Sequence, residues 1–214
     1  MNADEARVQD RRRDERRLVL HARRARCYRP CGDESARSWP ADEREVALQK
    51  TLLCEGLVSD QGVVLASVTT GGSEVLAEFH SRIGEVPRMG IIDRNGGQAS
   101  DGMPTQVSQV ATPADLTGIG IEVSRWFTRF EQDDATAGVR FGVDSLSSML
   151  MYADLARVFR FVHVLTNRVR QADGLSLFGF NPGSRDEKTV NTQLFDGQLV
   201  VHHEDDPSLI LRNE

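Results

Sequence analysis

The chain has 214 residues, 39% of them hydrophobic, and a formal net charge of −6, which fits one α/β domain with an appendage. Residues 1–45 hold 12 Arg against 10 Asp and Glu, whereas residues 46–214 hold 14 Lys and Arg against 22 acids, so nonspecific nucleic-acid binding by the acidic body is disfavoured. The chain contains no apolar stretch near the ~20 residues that span a bilayer, and its first 30 residues lack the apolar core of a signal peptide, so we expect a cytoplasmic protein without a membrane partner.

Residues 1–45 are predicted to form a poorly ordered, arginine-rich arm, because clusters such as Arg11-Arg12-Arg13 alternate with acids and show almost no apolar periodicity. Three interpretations stay open: a contact for nucleic acid or an acidic partner, a solvated tail, and an extension of the gene model. A zinc site is a further alternative. The spacing of the possible ligands is a poor match to structural zinc sites, so free thiols are favoured; these ligands are His21, Cys27, Cys31 and Cys54.

A regular pattern begins near residue 46, and residues 46–214 are predicted to form the folded domain. An amphipathic helix over about 46–57 leads into a short apolar run, Gly62–Thr69, typical of a parallel strand covered on both faces. The chain then turns, and Ser73 is predicted to cap the next helix. That helix buries a stripe with a 3.6-residue period, formed by Val75, Leu76, Phe79 and Ile83.

A second strand, Met89–Asp93, is followed by a polar stretch at 94–111. That stretch is predicted to be a loop, and its length beyond the ~12–15 residues of ordinary connections makes it a functional or mobile candidate. Thr112 as cap and Pro113 at the first position then predict a helix. Its buried stripe consists of Leu116, Ile119, Val123, Phe127 and Phe130.

The third strand is Val139–Asp144, and a long helix is predicted from Tyr152 to Gln171. A fourth strand at Leu175–Phe180, a short helix at Glu187–Leu194 and a terminal β-hairpin complete the pattern; the hairpin strands are 197–202 and 208–212. Strands that alternate with helices predict βαβ units. The fold class is therefore α/β, with a mainly parallel sheet flanked by helices.

Asp144 is the leading candidate for chemistry. A carboxylate at the carboxyl end of a central strand lies where open α/β sheets bind their ligands, and in nucleotide-hydrolysing proteins with a phosphate loop such an acid holds Mg²⁺. Ser145 follows it and would add a hydroxyl at the sheet edge. The competing interpretation is that Asp144 caps the next segment.

The segment Thr70-Gly71-Gly72-Ser73 occupies the slot of a phosphate loop between the first strand of the domain and its helix. Backbone amides at a helix N-terminus can hold an anion without lysine. This turn is nevertheless too short to wrap a triphosphate, and the only two lysines of the chain, Lys50 and Lys188, do not follow it. We therefore predict at most a vestigial nucleotide site and no catalytic residue.

Several segments together resemble a known family. They are Gly90-Ile91-Ile92-Asp93, Asp115-Leu116-Thr117-Gly118-Ile119-Gly120, Asp144-Ser145-Leu146-Ser147, Asp186-Glu187 and Leu194-Phe195-Asp196-Gly197. These segments resemble the haloarchaeal RecA/KaiC-like proteins of unknown function, also called HTR-like proteins, over roughly residues 55–203. The resemblance implies a RecA-like core with a degenerate phosphate loop and brings no known activity. Where the family pattern suggests His before Asp186, this chain has Arg185.

Three functions follow as hypotheses. The first is a non-catalytic regulatory or signalling module that acts through protein contacts or self-association and needs no cofactor. The second is a weak nucleotide-binding protein that holds ATP and Mg²⁺ with residues 70–73 and Asp144. The third is a nucleic-acid accessory protein that uses the basic arm.

Overall fold

The computed structural model describes residues 16–22, 44–93, 106–112, 114–180, 195, 197–201 and 208–211, and within them it has eight strands and five helices. The strands are β1 (Arg16–Ala22), β2 (Gly62–Ser67), β3 (Met89–Asp93), β4 (Val107–Gln109), β5 (Val139–Val143), β6 (Leu175–Phe180), β7 (Gly197–Val201) and β8 (Ser208–Leu211). The helices are α1 (Arg44–Val58), α2 (Gly72–Ile83), α3 (Leu116–Glu131), α4 (Leu146–Tyr152) and α5 (Leu155–Gln171).

All eight strands belong to one sheet, in the order β4-β3-β2-β5-β6-β1-β7-β8. The first five strands in that order are parallel to their neighbours, and helices connect most of them along the chain. The predicted α/β class with a mainly parallel sheet is confirmed. Strand β1 is antiparallel to both β6 and β7, and β7 and β8 pair antiparallel as predicted for the terminal hairpin.

Alternate side chains of the central strands enter two separate cores, as expected for a sheet covered on both faces. In β2, Val64 and Ala66 join the core under α3, α4 and α5, whereas Val63 and Leu65 join the core under α1 and α2. The predicted buried stripe of α3 is confirmed at all five positions and also includes Trp126. In α5 the buried stripe includes Phe161, whereas Phe159 is only partly buried against the same core.

Three local predictions were wrong. Strand β4 lies inside the stretch predicted as a loop, where its three residues pair only with β3. The helix predicted from Tyr152 to Gln171 begins instead at Leu155, because Ala153 is extended and Asp154 caps α5 by accepting a hydrogen bond from Arg157 N; Tyr152 is the last residue of α4, which was not predicted. Helix α3 is capped by Asp115, which accepts from Gly118 N at 2.8 Å, and not by Thr112.

The structure places β1 within the segment predicted as a disordered arm. No strand was predicted there, and for residues 1–15 and 23–43 the arm stays a prediction. The predicted helix at 187–194 lies outside the described residues, as do Arg185, Lys188, Cys27 and Cys31.

Candidate functional site

The candidate site lies at the carboxyl ends of β2, β3 and β5. Strand β2 sits between β3 and β5, and the chain passes from one side of β2 to the other between these two neighbours. Such a reversal of strand order opens the crevice in which α/β sheets bind ligands. The loop after β2 and the acids that follow or end β5 and β3 meet at this edge, as the sequence analysis expected for Asp144.

The carboxylate of Asp144 is bonded to the loop after β2. Its Oδ1 accepts from Val68 N at 2.8 Å, and its Oδ2 accepts from Thr69 N at 2.9 Å and from Thr69 Oγ1 at 2.7 Å. Asp144 is 9% exposed, so these bonds are largely shielded from water. Asp144 therefore fixes the loop after β2. The competing interpretation, in which Asp144 caps the following helix, is wrong, because Ser145 is the cap of α4.

Ser67 joins the same cluster from the end of β2. Its Oγ lies 2.7 Å from Thr70 O and 3.1 Å from Asp144 Oδ2. A hydroxyl has one hydrogen and neither of these oxygens can donate, so Ser67 serves one of them at a time. The turn is thus held at both its amide side and its carbonyl side.

Asp93, the last residue of β3, holds the other end of the loop. Its Oδ2 accepts from Gly72 N at 2.8 Å, the first amide of α2. The cap predicted at Ser73 was wrong, because Ser73 is an exposed residue of the first turn. The residue at the cap position is Gly71, which has no side chain, and Asp93 bonds the first amide of the helix instead. A Cβ on Gly72 would come within 2.7 Å of Val107 Cγ1, so the close approach of β4 and Asp93 requires glycine there.

Ser145 acts within its own helix. Its Oγ accepts from Ser148 N at 3.1 Å and lies 2.8 Å from Ser148 Oγ, which makes it the N-cap of α4. Among the predicted site residues, Thr70 is bonded to Ser67 beside Asp144 and Gly72 is bonded to Asp93, whereas Ser73 and Ser145 belong to helix starts. Their nucleotide-binding role, and the role of Asp144 in holding Mg²⁺, remain predictions.

The electrostatics of the loop oppose an added anion. Three of the backbone amides that a phosphate would use, those of Val68, Thr69 and Gly72, already donate to carboxylates of the protein. Lys50 forms an ion pair with Glu78, which joins α1 to α2 away from the loop. An entering phosphate would meet two carboxylates and would have to displace them, which costs the bonds they make.

Gln49 stabilises the strands next to the site and was not predicted from the sequence. Its Nε2 donates to Val143 O at 2.8 Å and to Leu177 O at 3.2 Å, so one side chain of α1 ties the end of β5 to the middle of β6. The signal was present, because Gln49 is a polar residue between the buried Leu48 and Leu52. A polar side chain inside an apolar stripe usually has a buried partner.

No group of three or more His, Cys, Asp or Glu within the described residues has the arrangement of a metal site. Cys54 is a free thiol in α1, and burial raises its pKa to about 11. The zinc alternative also needs Cys27 and Cys31, which lie outside the described residues. No helix in the described part of the chain is long and apolar enough to cross a bilayer.

Alkylation of Cys54 by iodoacetamide is expected to be about a hundredfold slower in the native protein than in the unfolded chain near about pH 8. The thiolate is the nucleophile, and the native pKa of about 11 against the ordinary 9.0 leaves far less of it. The rate should rise as pH approaches the native pKa. Peptide mapping by mass spectrometry after timed quenching measures residue 54 separately; equal rates in buffer and in urea would contradict the buried thiol.

Comparison with known proteins identifies a family whose function is unknown. One family model, described as a family of unknown function, matches residues 37–201, most of the chain. The chain belongs to this family, DUF7504. A solved structure, the uncharacterized protein PH0321 from Pyrococcus horikoshii in complex with an unknown peptide, is similar at 14% identity and a TM-score of 0.48, covering 81% of this chain and 89% of that one. No curated protein matches the chain.

Proposed function

We propose that this chain is a non-catalytic RecA/KaiC-like module that works in regulation or signalling through contacts with other proteins. One observation carries the proposal: Asp144 and Asp93 accept the hydrogen bonds that the loop amides would otherwise donate to a phosphate. A loop that is already bonded to two carboxylates, and that lacks a lysine, supplies no grip on a triphosphate.

The distribution of exposed apolar side chains supports protein contact. Of the five large hydrophobic residues that are strongly exposed among the described residues, four lie on α3, α4 and α5, on one side of the sheet. Single exposed hydrophobic residues are ordinary, but their concentration on one side is typical of an interaction surface. The four are Ile121, Met151, Tyr152 and Val164.

The direct test of the non-catalytic role is phosphate release from ATP and Mg²⁺. We expect the purified chain to release phosphate at the rate of buffer alone, with an active ATPase as the positive control. Turnover that copurifies with the chain and disappears in Asp144→Asn would overturn the proposal, because it would require a working site at the β2 and β5 ends.

A weak nucleotide-binding protein is the second candidate function. The observation in its favour is the position of the loop and Asp144 at the reversal of strand order, where ligands bind in this class of sheet. It differs from the first proposal in one measurable way: nucleotide would have to open the bonds from Val68 and Thr69 to Asp144, so binding would change the stability of that loop.

The nucleic-acid hypothesis depends on the arm and needs a test that spares the sheet. Deleting residues 1–45 would also remove β1, which pairs with β6 and β7. Neutralising Arg11, Arg12 and Arg13 by substitution with Gln leaves β1 in place. If the chain binds DNA and this variant binds equally well, the Arg11–Arg13 cluster has no role in that binding.

A further inference from the structure

Helices α3 and α5 lie side by side on one face of the sheet and leave an open groove between them, with a volume of about 970 Å³. Arg168 Nη2 donates to Glu131 Oε1 at 2.9 Å and joins the last turns of the two helices. The residues that line the groove on this side extend from Thr117 in the first turn of α3 to Gln132, its C-cap, which corresponds to roughly 22 Å at 1.5 Å per residue. We call this feature the α3/α5 groove.

The floor of the α3/α5 groove is apolar. Ile121 is 50% exposed and Val164 is 64% exposed, and both line it from opposite helices. Beneath them lie Phe161 and Leu165, which belong to the core. Exposed aliphatic side chains that line one groove from two helices, with core residues beside them, mark contact sites more reliably than isolated residues.

The rim of the groove is positively charged in a chain that is negative as a whole. Helix α5 carries four arginines and no acid. Arg157 and Arg160 line the groove, are exposed, and have no carboxylate partner among the described residues. On α3, Arg125 donates to Glu122, and Arg129 stands over the ring of Trp126 at 5.1 Å. Because a ring contact does not neutralise a guanidinium, Arg129 adds positive charge on the α3 side to that of Arg157 and Arg160 on α5.

We propose that the α3/α5 groove binds an acidic amphipathic helix of a partner protein. The apolar side of that helix would cover Ile121 and Val164, and carboxylates along its edge would pair with Arg157 and Arg160. This is the helix-in-groove mode of recognition, with apolar anchors set by the floor and specificity set by charge. The inference rests on the proposed function and names the chemistry of the partner.

Groove shape favours a protein helix over a nucleic acid or a membrane. The exposed floor residues are aliphatic, whereas single strands are held largely by stacking on exposed aromatic rings. Of the aromatic residues at this site, Phe161 and Trp126 are 9% and 6% exposed, too buried to stack on bases. A concave strip also cannot lie flat on a bilayer as an interfacial helix does. A groove of roughly 22 Å matches about 15 residues of helix.

The probe is a fluorescent synthetic helix with leucines on one side and glutamates on both flanks, titrated by anisotropy against the full chain. A peptide with lysine in place of every glutamate is its charge-reversed match. We expect the acidic peptide to bind at least about tenfold more tightly than the basic one, since charge complementarity sets the preference. Binding should weaken as salt is raised.

Two pairs of variants locate the binding. Val164→Asp should weaken it about tenfold, a typical effect for an apolar anchor at an interface centre, whereas Val58→Asp, at a valine that is 71% exposed on α1, should not. Arg160→Gln should weaken it, whereas Arg170→Gln, on the same helix outside the groove lining, should have little effect. All four sites are on the surface, and circular dichroism confirms folding.

Binding of the acidic peptide that the Val164 and Arg160 variants weaken and their controls do not supports the proposal. Absence of binding, equal affinity for both peptides, or equal losses in the control variants overturns it. Tighter binding of a DNA oligonucleotide or of anionic vesicles to the same surface also overturns it. Failure here leaves the non-catalytic role standing, because that role is tested separately by phosphate release.

Discussion

Replacing Asp144 with Ala is expected to lower the free energy of unfolding by about 3 kcal/mol, because it leaves two backbone amides and one hydroxyl without their acceptor. Val68 N is buried and loses its acceptor, and Thr69 loses the partner of both its amide and its hydroxyl. The midpoint of urea unfolding measures the change, with an unchanged slope showing that the same transition is compared.

Two controls separate the contacts of Asp144 from its charge. Asp144→Asn retains one acceptor and should cost less than Asp144→Ala. Asp134→Ala removes an exposed acid of the turn after α3 and should change stability by less than about 0.5 kcal/mol. A more stable Asp144→Ala protein would contradict the structural role, since carboxylates kept for a ligand are often held at the expense of stability.

Replacing Phe141 with Ala is expected to cost about 3–5 kcal/mol, the range for a fully buried aromatic residue. Phe141 is 0% exposed on β5, and its ring meets Phe178 edge to face at 5.9 Å. Phe178 in turn contacts Phe195 at 5.2 Å. The cavity would therefore open in the middle of the core under α3, α4 and α5, on the strand that leads into Asp144.

The matched control is Phe159→Ala, on α5, where the ring is only partly buried against the same core. It should cost clearly less, because fewer contacts and less buried area are lost. Thermal and urea unfolding of the two variants measure the difference. Equal losses would mean that β5 is not the centre of this core and would weaken the placement of the candidate site.

Patterns within one element were enough to predict most of the fold. The 3.6-residue stripes of α2 and α3 and the apolar runs of β2, β3 and β5 are local, and the structure has them where predicted. Strand β4 was missed because three residues are too few to show a period. Helix α4 was missed because its seven residues are too few to show a helical period, and the start of α5 was placed at Tyr152 instead of after the cap at Asp154.

Contacts between distant residues explain what the sequence could not predict at the site. The position of Asp144 followed from its place after an apolar strand, but its partners, Val68 and Thr69, lie 76 and 75 residues away. In the same way, Ser73 has the residue type of a helix cap, yet Asp93 from another strand bonds the first amide of α2. The residue pattern near each position does not indicate either bond. The sequence therefore predicted the positions of the loop and of Asp144, but not the hydrogen bonds between the loop and the two carboxylates.

Calorimetric titration of ATP and Mg²⁺ into the full chain tests the central claim, that the loop after β2 is closed to nucleotide. The account predicts no heat of binding up to about millimolar ATP, which corresponds to less than about 4 kcal/mol of affinity. Saturable binding to the wild-type chain that is lost in folded Asp144→Asn would contradict it and would make this site a working nucleotide switch.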